Sequence, residues 1–234
     1  MNRINSFSSI AEISNPLEIL KSIAQMKGEK IVFSTSLSAE DQVITHMIFS
    51  LNLDIEIFTL DTGRMFPETY QTLQKTLEKY QKEIKVYFPA AEEVEELMTE
   101  KGAYSFYDSV ENRKQCCEIR KVKPLKRALQ GKTIWITGIR SEHSQNRTEM
   151  QKIEWDAANN ITKIHPLLHW SNDEVWTYIK ANNVPYNSLH DKGFISIGCQ
   201  PCTRAVKEGE DFRAGRWWWE DTSKKECGLH SIKQ

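Results

Sequence analysis

Lys30-Ile31-Val32-Phe33-Ser34-Thr35-Ser36-Leu37-Ser38-Ala39-Glu40-Asp41 is the stretch on which the fold turns. Its first five residues are a short β-prone run. Ser34–Ser38 is a small polar turn, and from residue 39 to about residue 52 Val43, Ile44, Met47 and Ile48 recur on one helical stripe. Strand, polar turn and helix begin a βαβ unit. The order repeats downstream: Ile55–Leu60 is strand-like and runs into Asp61-Thr62-Gly63, and Pro67 opens a helix through about Tyr80. Ile84–Phe88 reads as a third strand, Thr133–Thr137 as a fourth ending at Gly138, and Ile161–Ile164 as a fifth. Upstream, residues 1–29 read as a helical lead-in, with helical apolar spacing at Pro16–Leu20 and a stop at Gly28. Strands alternating with helices predict an α/β fold with a mostly parallel sheet and helices on both faces. Ligands of such sheets sit outside the carboxyl ends of the strands. Ser34–Ser38, Asp61–Arg64 and Gly138-Ile139-Arg140 all follow strand ends.

The chain has 234 residues, 31 Lys and Arg against 32 Asp and Glu, and a formal net charge of −1. One domain with an appendage is expected at about 150 residues per domain. The balance argues against a basic nucleic-acid coat. No run approaches the roughly 18 apolar residues of a membrane span, and the N-terminus shows no signal-peptide pattern. A cytoplasmic location is the expectation, and five cysteines in a reducing compartment read as ligands or nucleophiles. The acidic run Glu92–Glu96 reads as a solvated helix face. After about residue 195 the pattern breaks up. Residues 1–204 are therefore read as the α/β domain and 205–234 as a C-terminal tail.

The cysteines divide as Cys116-Cys117, Cys199-Gln200-Pro201-Cys202 and a lone Cys227. A C-x-x-C presents two sulfurs from one turn. An adjacent pair suits a single tetrahedral ion poorly, because its side chains diverge, and suits a polynuclear cluster better. Metal binding, a redox-active C-x-x-C and incidental thiols all remain open on spacing alone. Cys227 sits in Lys224-Lys225-Glu226-Cys227-Gly228-Leu229-His230, where two lysines and a histidine favour the thiolate; a solvent-exposed end is the bland alternative. Trp217-Trp218-Trp219 read either as packing or as a closing lid, and His165 and His169 as structural.

Several ordered stretches resemble one family. They are Leu60–Arg64 with Pro67–Tyr70, Cys116-Cys117 with Ile119-Arg120-Lys121, and Thr137–Arg140. His165-Pro166-Leu167, Trp170–Trp176, Pro185–His190, Gly193–Cys199 and Lys225–His230 follow. Together they resemble the assimilatory sulfonucleotide reductases, which reduce adenylyl sulfate or its 3′-phosphorylated form to sulfite. The resemblance implies an adenine-nucleotide α-hydrolase-like sheet and homo-oligomers. Relatives that cleave ATP carry a lysine in the first loop. The loop here has Glu40 and Asp41 and no lysine, which argues against an ATP-using adenylating enzyme. Its hydroxyls and N–H groups at Ser34, Ser36 and Ser38, at a helix start, suit a sulfate or phosphate.

Within that family the double cysteine pair marks the branch with a [4Fe–4S] cluster, implying Cys116, Cys117, Cys199 and Cys202 as ligands. That branch generally prefers adenylyl sulfate; the 3′-phosphorylated or dual-substrate reading is the alternative, and a zinc-stabilised binding module is a third. The resemblance implies attack by Cys227 on the sulfate sulfur and a thioredoxin- or glutaredoxin-like dithiol as reductant. A thiolate approaching a sulfate needs fixed positive charge. Lys121, Arg140, Arg213 and Arg216 are the candidates, with His230 tuning the thiol, and Leu60, Asp61, Thr62 and Gly63 are expected at the nucleotide.

Overall fold

A strand covered by helices on both sides must be apolar on both sides. Ile31, Val32, Phe33, Ile134, Trp135 and Ile136 are all buried. The computed structural model describes residues 7–143 and 150–220. In it these residues form β1 (Ile31–Ser34) and β4 (Ile134–Ile136). With β2 (Glu56–Leu60), β3 (Lys85–Tyr87), β5 (Ile153–Asp156) and β6 (Ile161–Ile164) they make one sheet, ordered β3-β2-β1-β4-β6-β5. β1 is parallel to β2 and to β4, and β4 is parallel to β6. The antiparallel edge strand β5 was not anticipated from the sequence. Its run, Ile153-Glu154-Trp155-Asp156, is too short and too polar to stand out before its partner β6 is known.

The connecting helices are α1 (Ser8–Ala11), α2 (Pro16–Ala24), α3 (Ala39–Ser50), α4 (Pro67–Tyr80), α5 (Ala91–Lys101), α6 (Val110–Cys117), α7 (Lys123–Leu129) and α8 (Asn172–Ala181). Their starts follow capping chemistry. Asn15 accepts from the Leu17 amide ahead of Pro16, and Ser171 and Glu174 form a reciprocal capping box on α8. The α4 helix buries threonines: Thr69, Thr72 and Thr76. Thr72 and Thr76 donate to carbonyls one turn back, at 2.7 Å each, which satisfies hydroxyls that would otherwise be costly to bury.

The described residues divide into two compact units. One is drawn from Met1–Thr59, Glu68–Lys85 and Leu129–Asn187, the other from Leu60–Pro67, Val86–Ala128 and Ser188–Gln234. The first is built on Ile19, Leu20, Phe33, Val43, Ile44, Ile134, Ile136 and Ile164. The second has a smaller core of Leu97, Phe106, Cys116, Ile119, Cys202 and Trp217. Residue 204 does not mark a change in packing. Thr203 bridges Arg216, the Arg204 amide donates to the Gly215 carbonyl and the Trp217 amide to the Cys202 carbonyl. The described part of the expected tail is thus folded against the C-x-x-C turn, and Trp217 is a core residue at 1% exposure.

Candidate functional site

In the first unit, β1 delivers Ser34, whose hydroxyl accepts from the Trp135 indole at 2.8 Å. The chain then turns through Leu37, which is buried with φ +61°, a strained conformation for a non-glycine residue. This turn lets Asp41, in the first turn of α3, reach back. Its Oδ2 accepts both the Ser36 amide at 2.6 Å and the Ser36 hydroxyl at 2.7 Å. The Ser36 donors, expected to meet a substrate anion, are therefore held by the protein's own carboxylate. Burial pushes the Asp41 pKa up to about 6, opposed by the Ser36 bonds and reinforced by the Glu40 charge. Gly138 leaves room for it: a Cβ there would fall 2.0 Å from Asp41 Oδ1.

Arg140 also lies in this unit, 1% exposed. Its Nε donates to Glu40 at 3.0 Å and its Nη1 to Glu142 at 2.8 Å and to the Trp170 carbonyl at 3.1 Å; Nη2 faces Asn172. Every guanidinium nitrogen is engaged, so the free anion-binding fork expected from the sequence is not presented here. His165 is fully buried and pairs with the Thr137 hydroxyl at 2.7 Å.

The second unit holds the remaining described candidates. Asp61 accepts from the Gly63 amide at 2.7 Å, a tight turn for which Gly63 adopts φ +70°. The Thr62 hydroxyl lies 3.3 Å from Cys199 Sγ, and the Thr62 carbonyl accepts from Arg120 at 2.7 Å. The Arg64 carbonyl accepts from the Gln200 amide at 2.8 Å. The Leu60–Arg64 loop is thereby tied to both cysteine pairs.

Cys116 and Cys117 end α6. The chain then widens into a π-helical turn, Glu118–Val122, a rare geometry that clusters at functional sites. The opposite pair sits on a 3-10 turn, Gln200–Cys202, where the Cys202 amide donates to the Cys199 carbonyl at 3.0 Å. All four cysteines line one cavity, together with Phe106, Arg64, Arg113, Arg120 and Lys121. Among the described residues no carboxylate lines it. Among the described residues no group of three or more His, Cys, Asp or Glu is arranged to hold a metal ion.

The charges act on the thiols unequally. Burial pushes Cys116 up, with Arg64 and Arg120 opposing. Burial pushes Cys202 up to about 12, and Cys199 adds to it. For Cys199 burial also raises the pKa, but Lys121, the Thr62 hydroxyl, Arg216 and Arg120 outweigh it, and the net shift is downward.

Arg216 is buried, with its guanidinium 4.9 Å over the Trp217 ring. Gly198 makes its space, since a Cβ there would fall 2.3 Å from Arg216 Nη2. Trp217 is held at φ +41°. Arg213 is half-buried on the same segment. Cys227 and His230 lie outside the described residues.

Three cavity residues were missed or undervalued in the sequence. Arg113 lies one turn before Cys116 and Cys117, so helical spacing could have found it. Arg120 lies four residues after Cys116, so the same spacing points to it. Arg64 was read only as the end of a loop.

Residues 30–205 match the family model described as "Phosphoadenosine phosphosulfate reductase domain". The chain is 49% identical over 214 residues to "Adenosine 5'-phosphosulfate reductase" of Allochromatium vinosum, covering 92% of this chain and 83% of that protein. It is 53% identical over 199 residues to the protein of the same description from Neisseria meningitidis serogroup A, covering 85% and 82%. Among solved structures it superimposes on phosphoadenylyl-sulfate (PAPS) reductase from Candida auris, in its phosphate complex, with a TM-score of 0.74 and 28% identity, covering 88% of this chain and 97% of that one. Yeast FAD synthetase, at 16% identity and a TM-score of 0.56, shares the fold. The Leu60–Arg64 loop and both cysteine pairs lie within the matched region, and the chain belongs to the sulfonucleotide reductase family.

Proposed function

We propose that this chain reduces adenylyl sulfate to sulfite and AMP in sulfate assimilation, through an S-sulfocysteine on Cys227. The observation that carries the reading is the convergence of both cysteine pairs and the Leu60–Arg64 loop on one cavity lined by Arg64, Arg113, Arg120 and Lys121. The Cys227 thiolate attacks the sulfate sulfur. The bond from that sulfur to the bridging oxygen breaks, and its electron pair leaves on AMP. One thiolate of a thioredoxin-like dithiol then attacks Cys227 Sγ, and the S–SO₃ bond breaks to release sulfite. The second thiol of the dithiol resolves the mixed disulfide and frees Cys227. The two electrons come from that dithiol, which leaves oxidised. Lys121, Arg216 and Arg213 offset the repulsion between thiolate and sulfate. Arg140 acts one step back, holding Glu40 and with it the first turn of α3.

The cysteine set fits a polynuclear cluster better than a single ion. One zinc would gather four sulfurs to about 2.3 Å from one point. Cys116, Cys117, Cys199 and Cys202 all line one cavity, which supports a cluster in which each thiolate takes its own iron. Cys116, Cys117, Cys199 and Cys202 would hold a [4Fe–4S] cluster, which when bound supplies charge and organisation next to Lys121. Anaerobic purification should give a brown protein with about four irons per chain; a colourless protein with one zinc would sink this reading. Cys227→Ser should abolish sulfite release while AMP still binds, and continued sulfite production would refute the intermediate.

The 28% identity to a phosphoadenylyl-sulfate reductase keeps the 3′-phosphorylated substrate as the second reading. Side-by-side kinetics with both nucleotides decide between them.

A further inference from the structure

Arg64 is held through its backbone and its guanidinium, and one nitrogen is left over. The Gly63 turn, at φ +70°, leads into it. The Arg64 amide donates to the Thr62 hydroxyl at 3.2 Å, and its carbonyl accepts from the Gln200 amide at 2.8 Å. Its Nη2 donates to the Ala103 carbonyl at 2.6 Å, and the guanidinium carbon lies 4.9 Å over the Phe106 ring. Nη1 is buried and has no hydrogen-bond partner among the described residues. A charged N–H taken out of water without an acceptor is strongly destabilising. Arg64 lines the cavity with Cys116, Cys117, Cys199 and Cys202, and the reaction steps above do not use it.

The chemistry of the cavity supplies the missing acceptor. Among the described residues it is lined by cysteines and cations, so an anionic acceptor there is sulfur. The thiolates and sulfides of an iron–sulfur cluster carry negative charge, and hydrogen bonds to those sulfurs tune the cluster. Arg120 also keeps a buried nitrogen without a partner, its Nε. Its terminal nitrogens, however, engage the Thr62 carbonyl at 2.7 Å and the Met98 sulfur at 3.6 Å. Arg64 offers a terminal nitrogen on a fork already fixed at Ala103. We propose that Arg64 Nη1 donates a charge-assisted hydrogen bond to a sulfur of the group held by the four cysteines, making Arg64 a positioning residue that tunes and retains it. The inference rests on the cluster reading above. It also explains the residue type. A planar guanidinium can hold the Ala103 carbonyl with one nitrogen and aim another in a fixed direction, which a lysine ammonium cannot do.

The test compares the iron-loaded full chain, purified anaerobically, with Arg64→Gln and Arg64→Lys. Two quantities are read: the rate at which a ferrous chelator removes iron, and the one-electron midpoint potential of the clusters that remain. Arg64→Gln is expected to surrender iron about tenfold faster, the lower end of the effect of losing a partner of a metal ligand. Its midpoint potential falls below the parent's, because the lost charge and N–H favour the more negative, reduced cluster. Arg64→Lys keeps the charge without the fork, so it falls between the two in both readings. If Arg64→Gln takes up no iron, Arg64→Lys against the parent carries the test. Parent values of both quantities in the variants would overturn the proposal. Faster iron loss at an unchanged potential would overturn it as well, since it would make Arg64 a support of the Ala103 segment alone. A parent chain that holds one zinc and no iron fails the cluster reading instead. Zinc release then tests Arg64 on the zinc-bound thiolates: faster release from Arg64→Gln supports the donor, and an equal rate overturns it. A parent chain that binds neither metal refutes both readings.

Discussion

Asp41 is acidic, buried and placed on the donors of Ser36, and its energetics give a direct pH prediction. Its folded pKa of about 6 stands above the ordinary 3.8, so the folded chain holds this proton more tightly than the unfolded one. Stability from this residue is therefore greatest at low pH and falls as pH rises between those two values. The loss levels off above about pH 6 at roughly 3 kcal/mol. One oxygen takes both Ser36 bonds, so an amide oxygen can replace it. Asp41→Asn should be more stable than the parent by about 1–3 kcal/mol at pH 8, with the gain shrinking toward pH 5. Urea titrations at three pH values would show it, and a pH-independent difference would refute it. Gly138→Ala drives a methyl into Asp41 Oδ1, and should cost about 1–3 kcal/mol with a lower urea midpoint.

At the scale of elements, the caps were legible and the π turn was not. Ser171 ahead of Glu174 is a local pattern, and Ser171→Ala should cost about 1 kcal/mol in thermal unfolding. The start of α4 at Pro67 is equally local, although its buried face is threonine and breaks the usual apolar stripe. The Glu118–Val122 π turn has no sequence signature, because its widening depends on what surrounds it. Arg120 and Lys121, four residues after Cys116 and Cys117, both line the cavity. Lys121→Ala should lower turnover at least about tenfold, the scale for one lost transition-state charge, while iron content stays unchanged. Near-normal turnover with an intact cluster would remove Lys121 from the mechanism.

Across the whole molecule, the two units have separate cores of unequal size. The second is small and contains Cys116 and Cys202 themselves, so its cohesion should depend on what those thiols bind. Removing the proposed cluster under reducing conditions should sharply reduce hydrogen-exchange protection of the Cys202, Thr203 and Trp217 amides. The Ile134–Ile136 amides, in the larger core, should keep theirs. Equal loss in both would show that the chain responds as one cooperative block.

Read alone, the sequence determined the parallel strands, the polar loops at their carboxyl ends and the division of five cysteines into two pairs and Cys227. Periodicity, capping and spacing are local, and local signals carry these features. Only the tertiary structure decided that Asp41 fills the Ser36 donors, that Arg140 is committed to Glu40 and Glu142, and that Arg113 holds Glu220 beside the cysteines. Arg140 and Glu40 are 100 residues apart, and Arg113 and Glu220 are 107. No local pattern reveals which carboxylate a buried arginine meets, because burial itself forces that choice: a guanidinium removed from water must take whichever partner the fold brings to it.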